Sequence, residues 1–107
     1  MSHSGCRSSG EITTDTLIHT GRCKLVSIHG YNAHGSDICM VAVYDNTAAS
    51  GKKVATLLLN PLSRDPGTGQ PAHSAGSIEF DMHGVICANG LYVDVTNGTP
   101  SITIEYA

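Results

Sequence analysis

At 107 residues, with a net charge of −3 and a pI near 6.0, the chain has room for one modest core and too few cations for a nucleic-acid surface. Its six Lys and Arg hold one adjacent pair, Lys52-Lys53, whereas counterion release needs a clustered basic face. No apolar run nears the roughly 20 residues of a membrane span, and the N-terminus shows no hydrophobic h-region, so with Met1 in place the chain is expected to be unprocessed.

Residues 1–10 contain no apolar anchor beyond Met1 and Cys6, and read as an extended, flexible arm. Ordering such an arm costs about 1–2 kcal/mol per residue, so a neighbouring subunit or a larger assembly is expected to hold it. Residues 11–107 then read as one β domain. Residues 11–20 are rich in β-branched Thr and Ile and predict a first strand, ended by Gly21. Residues 22–31 predict a second, and Asn32-Ala33-His34-Gly35-Ser36 a turn.

Residues 37–44 form a nearly continuous apolar run, as in a strand buried on both faces, central in a sheet or covered by a partner. Residues 52–60 are short for a helix; Val54, Thr56 and the closing Pro61 favour a strand. Residues 63–76 predict the longest loop, with two Pro and three Gly, and loops of this length are usually functional or disordered.

Ser77 to Val95 carries the strongest local signals. Ile78, Phe80 and Met82 alternate with polar residues, Gly84 interrupts, and Asn89-Gly90 separates two β-prone runs. Asn-Gly there is a type I′ hairpin signal, so the segment predicts three consecutive antiparallel strands. After a turn at residues 96–100, residues 101–106 alternate cleanly, with Ile102, Ile104 and Tyr106 on the core face. About eight short strands and no convincing helix predict an all-β class: an antiparallel sandwich or jelly roll.

Chemistry-bearing patterns are sparse. Cys6, Cys23, Cys39 and Cys87 lack metal-knuckle spacing and read as reduced structural thiols, with a Cys23–Cys87 disulfide left open. His29 and His34 flank one turn and His83 precedes the glycine of another; three turn histidines brought to one end of a sandwich could bind a metal, but hydrogen bonding to backbone or a place in an interface is the more ordinary role. No serine has a nucleophile-elbow context, no carboxylate pair is nominated, and Pro66-Gly67-Thr68-Gly69 lacks the Lys of a phosphate loop. Neither an enzyme nor a bound cofactor or metal is expected. Low charge and many Ser, Thr and Val suit a chain packed against other chains.

The runs Lys24 to Asn32, Val43-Tyr44-Asp45 and Phe80 to Val93 resemble small virion proteins of tailed bacteriophages, the capsid decoration or cement proteins and related head and tail modules. The resemblance implies a β-sandwich that binds the outer shell between subunits of the major capsid protein, commonly as a homotrimer. It implies residence on the capsid surface of a virion assembled in the host cytoplasm; the charge balance and the lack of a long apolar run leave neither nucleic acid nor membrane as an expected partner. It carries no catalytic residues. Partner-binding candidates are Ser4, Arg7, Ser8 and Ser9 in the arm, and Arg64, Asp65 and His73 in the long loop. The alternative expectation is a receptor- or carbohydrate-binding module of a phage tail or fibre, with residues 63–76 as its binding edge; the absence of Trp counts against sugar stacking.

Overall fold

The computed structural model describes residues 6–61 and 78–107. Among these residues the chain is all-β, with eight strands: β1 (Arg7–Ser8), β2 (Thr16–Thr20), β3 (Cys23–Asn32), β4 (Cys39–Tyr44), β5 (Lys53–Leu59), β6 (Ile78–Cys87), β7 (Gly90–Thr96) and β8 (Pro100–Tyr106). They form two four-stranded antiparallel sheets, ordered β1-β8-β3-β6 and β2-β7-β4-β5, packed as a β-sandwich. The chain changes sheet at nearly every connection. Among the described residues, β4 and β5 are the one pair of consecutive strands that lie side by side in the same sheet.

The core follows from alternation. Leu25 and Ile28 of β3 and Ile102 and Ile104 of β8 point inward from one sheet; Val41, Val43, Leu57, Leu59, Leu91 and Val93 meet them from the other. Ile12 lies outside any strand, yet its backbone bridges Ile102 and its side chain joins the core. Tyr106 packs against this core as its alternation predicts. β4 is central in its sheet, which accounts for the buried Val41, Ala42 and Val43.

Two expectations for Ser77 to Val95 are corrected. Gly84 does not end a strand. His83 and Gly84 adopt φ of 56° and 76° and form a bulge within the single strand β6. Against β3, Leu25 pairs Val85 and Ser27 pairs Asp81, so β6 advances four residues where β3 advances two. The bulge restores the inward face: Phe80 lies opposite Ile28 before it, and Cys87 opposite Cys23 after it.

Nor is Asn89-Gly90 a hairpin turn, because β6 and β7 belong to different sheets. Neither residue has a positive φ, as a type I′ turn would require. Gly90 is needed for close approach instead: a Cβ there would lie 2.7 Å from the Asn46 carbonyl oxygen. The paired left-handed conformations occur at Asn97 and Gly98, with φ of 62° and 73°, in the crossing from β7 to β8.

Each end of the sandwich is clasped by one buried polar side chain. At one end Asn32 donates from Nδ2 to the carbonyls of Asp37 and Leu59, at 2.7 and 3.0 Å. Its Oδ1 accepts from the backbone N–H groups of His34 and Thr99, at 3.0 and 2.9 Å. At the other end Asp45 accepts from the N–H groups of Ala88 and Asn89, at 3.1 and 2.8 Å. Burying these two polar groups is tolerable because each is matched by several partners.

Candidate docking surface

Among the described residues, the side chains open to a ligand or partner lie on the outer faces and edges of the sandwich. On the outer face of the β2-β7-β4-β5 sheet, Met40 of β4 stands directly opposite Leu58 of β5. Met40 is 42 % exposed and Leu58 61 %; Ile38, two residues ahead of Met40, is 50 % exposed. The cause is local. Leu57 and Leu59 face inward, so alternation forces Leu58 outward, and Met40 alternates with the buried Cys39 and Val41 in the same way. The pair places two large apolar side chains side by side in contact with solvent.

Further along this face Asp94 of β7 meets Asp15. Desolvation, then the adjacent Asp15 charge, push the Asp94 carboxyl above the usual carboxylate range. Asp15 itself accepts the Val95 N–H at 2.8 Å. Lys53 lies 5.8 Å from the centre of the Tyr44 ring, a cation–π distance.

The outer face of the other sheet is different in character. Val26, Ser27, Glu79, Asp81 and Glu105 line an open hollow of about 380 Å³. Ser27 Oγ donates to Glu105 Oε1 at 2.5 Å, and Asp81 Oδ1 accepts the His83 N–H at 2.9 Å. The hollow forms where the bulges of β3 and β6 meet. Between the sheets, beside edge strands β5 and β6, Ile28, Ala55, Leu57, Phe80 and Met82 line an apolar groove of about 210 Å³. Phe80 is 47 % exposed there, although alternation directs it to the core side.

The expected partner-binding residues are not brought together as one described site. Arg7 and Ser8 form β1, opposite Tyr106 and Glu105 of β8. Ser9 donates its N–H to the Ile104 carbonyl at 2.8 Å, while its Oγ accepts the Ile104 N–H at 2.9 Å. The later half of the arm is therefore anchored on the domain's own sheet through the backbone, which residue composition does not reveal. Ser4, Arg64, Asp65 and His73 lie outside the described residues.

The histidines assigned to turns do not share one end. His29 is inside β3, opposite Glu79 and Thr103; His83 is in the β6 bulge. His34 is in the loop after β3, where its Nδ1 accepts the N–H groups of Ser36 and Asp37 at 3.1 and 2.9 Å. Among the described residues no group of three His, Cys, Asp or Glu side chains is placed to hold a metal ion.

Sequence reading missed the Met40–Leu58 pair because residues 37–44 looked apolar throughout. The signal that finds it is Leu57-Leu58-Leu59, since three consecutive leucines on a strand cannot all face one core. No family model, no curated protein and no solved structure matches this chain.

Proposed function

We propose that this chain is a structural virion protein: a capsid decoration protein of a tailed bacteriophage that binds between major capsid subunits and stabilises the head. The observation that carries the reading is the exposed Met40–Leu58 pair on the outer face of a sandwich whose own core is closed. Fully burying a Leu or Met side chain is worth roughly 1.5–3 kcal/mol. A few such anchors, repeated at every symmetry-related position, bind a small domain to a shell and shift the balance toward the assembled state. A homotrimer at three-fold positions multiplies the same contacts without new chemistry.

The opposite face fits a solvent-facing role. Glu79, Asp81 and Glu105 gather carboxylates there, a surface that repels phosphate backbones rather than gaining from them. Strand β1 covers one edge of β8 and shields its backbone groups from water.

Cryo-electron microscopy of the particle whose genome encodes the chain tests the proposal. Density for the sandwich on the outer shell between capsomers is the expected result. Density confined to the tail, or no density on the particle, would overturn it.

A further inference from the structure

We propose that Cys23 and Cys87 form a native-compatible intrachain disulfide, a covalent staple between β3 and β6. The two residues are direct cross-strand partners in the antiparallel ladder, and both face the core, 5 % and 0 % exposed. Direct antiparallel partners have Cα atoms about 4.5 or 5.5 Å apart, inside the roughly 4.4–6.8 Å range that a disulfide spans. Both are free thiols in the structure. The other two cysteines are placed elsewhere: Cys39 is buried at the start of β4, next to the Asn32 clasp, and Cys6 is exposed ahead of β1.

The location gives the bond a mechanical role. Among the described residues β6 is an edge strand, paired in its sheet with β3 alone. Cys87 is its last residue, and Cys23 is the first of β3. The two chain crossings beside them already touch, since the Gly21 N–H donates to the Asn89 carbonyl at 3.0 Å. A disulfide there would lock both crossings and close a loop holding most of the domain, which removes much denatured-state freedom.

The exchange balances with a small-molecule disulfide such as oxidised glutathione as oxidant. The Cys23 thiolate, the less buried of the two, attacks one glutathione sulfur, forming a mixed disulfide and releasing one glutathione thiolate. Cys87 loses its proton and attacks the Cys23 sulfur, and the second glutathione leaves as thiolate. Two protein S–H bonds become one S–S bond; their two protons and the two electrons end on two glutathione thiols. Burial pushes both thiols up, Cys87 to about 11, so few thiolates exist at neutral pH in the closed state. The bond therefore forms while the edge strand is open, above all during folding.

The test is to refold the full chain in a glutathione redox buffer, and to compare it with chain refolded under reductant. The expected product is lighter by about 2 Da, yields a Cys23–Cys87 peptide on a non-reducing map, and melts about 10 °C or more higher. A Cys87→Ala control should keep Cys23 open to alkylation and lose the shift. The proposal is overturned if all four cysteines still alkylate after oxidative refolding, if Cys23 or Cys87 bonds to Cys6 or Cys39 instead, or if the bonded form melts lower than the dithiol.

Discussion

Asp45 Oδ1 accepts the backbone N–H of Asn89 at 2.8 Å, and this bond joins the β4–β5 loop to the crossing between the two sheets. The Asn89 N–H is the main influence holding the Asp45 carboxyl below its ordinary value of 3.8; desolvation opposes it, and the Ala88 and Gly90 N–H groups and the Lys52 charge support it. A depressed carboxylate contributes stability above its unfolded pKa and loses it as pH falls through the folded value. Melting temperature should therefore fall as pH drops below about 3.8, with part of that loss assigned to Asp45. Asp45→Ala should melt lower than the parent at pH 7, and the gap should shrink on acidification. Thermal melts followed by circular dichroism between pH 2 and 7 check this, and a gap independent of pH would contradict it.

Asp94 has the opposite sign. Its carboxyl is raised by desolvation and by Asp15, so the folded state binds the proton more tightly than the unfolded chain. Its contribution is favourable at low pH and is lost as pH rises through the folded value. At pH 7 the ionised Asp94 carboxylate is therefore less favourable in the fold than in the unfolded chain. Asp94→Asn should raise the melting temperature at pH 7 and lose that advantage near pH 3. The gain should be small, because the pair is partly exposed and screened by solvent and salt.

Asn32 supports a larger effect. Truncation to Ala leaves the carbonyls of Asp37 and Leu59 and the N–H groups of His34 and Thr99 without this partner. The residue is fully buried, so water does not readily replace the side chain. Loss of such a hub should cost about 3 kcal/mol or more, near 10 °C in melting temperature for a domain this size. Gly98→Ala should act on the same clasp, because φ is +73° there and a Cβ would sit 2.8 Å from Asn32 Oδ1. Chemical denaturation of both variants beside the parent is the measurement, and an Asn32→Ala variant as stable as the parent would show that the clasp contributes nothing to stability.

What the sequence made legible was local, and what it hid was pairing across the fold. Ile102, Ile104 and Tyr106 alternate, and the core receives them as alternation says. Val54, Thr56 and Pro61 correctly favoured a strand over a helix at β5. Asn89-Gly90 misled because the dipeptide reports backbone tolerance, not the sheet to which the next strand belongs. The Asp45 carboxylate, more than 40 residues away in sequence, holds that corner. The His83–Gly84 bulge likewise looked like a strand end, since a left-handed residue interrupts the pattern either way. The exposed pair was hidden by the same limit: Met40 and Leu58 become neighbours only when β4 and β5 take their register.

That register supplies the sharpest test of the proposed function. Leu58 is largely exposed, so Leu58→Glu removes little from the isolated fold, and substitutions of this kind usually fall within about 0.5 kcal/mol. In a docked state the same carboxylate would be forced against an apolar partner surface, where an unpaired charge is costly. Melting temperature should thus stay close to the parent while attachment to capsids lacking the protein falls by about tenfold or more. Met40→Glu, its direct cross-strand neighbour, should behave alike, whereas Glu79→Gln on the opposite face should attach as the parent does. Cosedimentation of each variant with such capsids reads the difference. Equal attachment by Leu58→Glu and Met40→Glu would move the docking surface elsewhere on the sandwich.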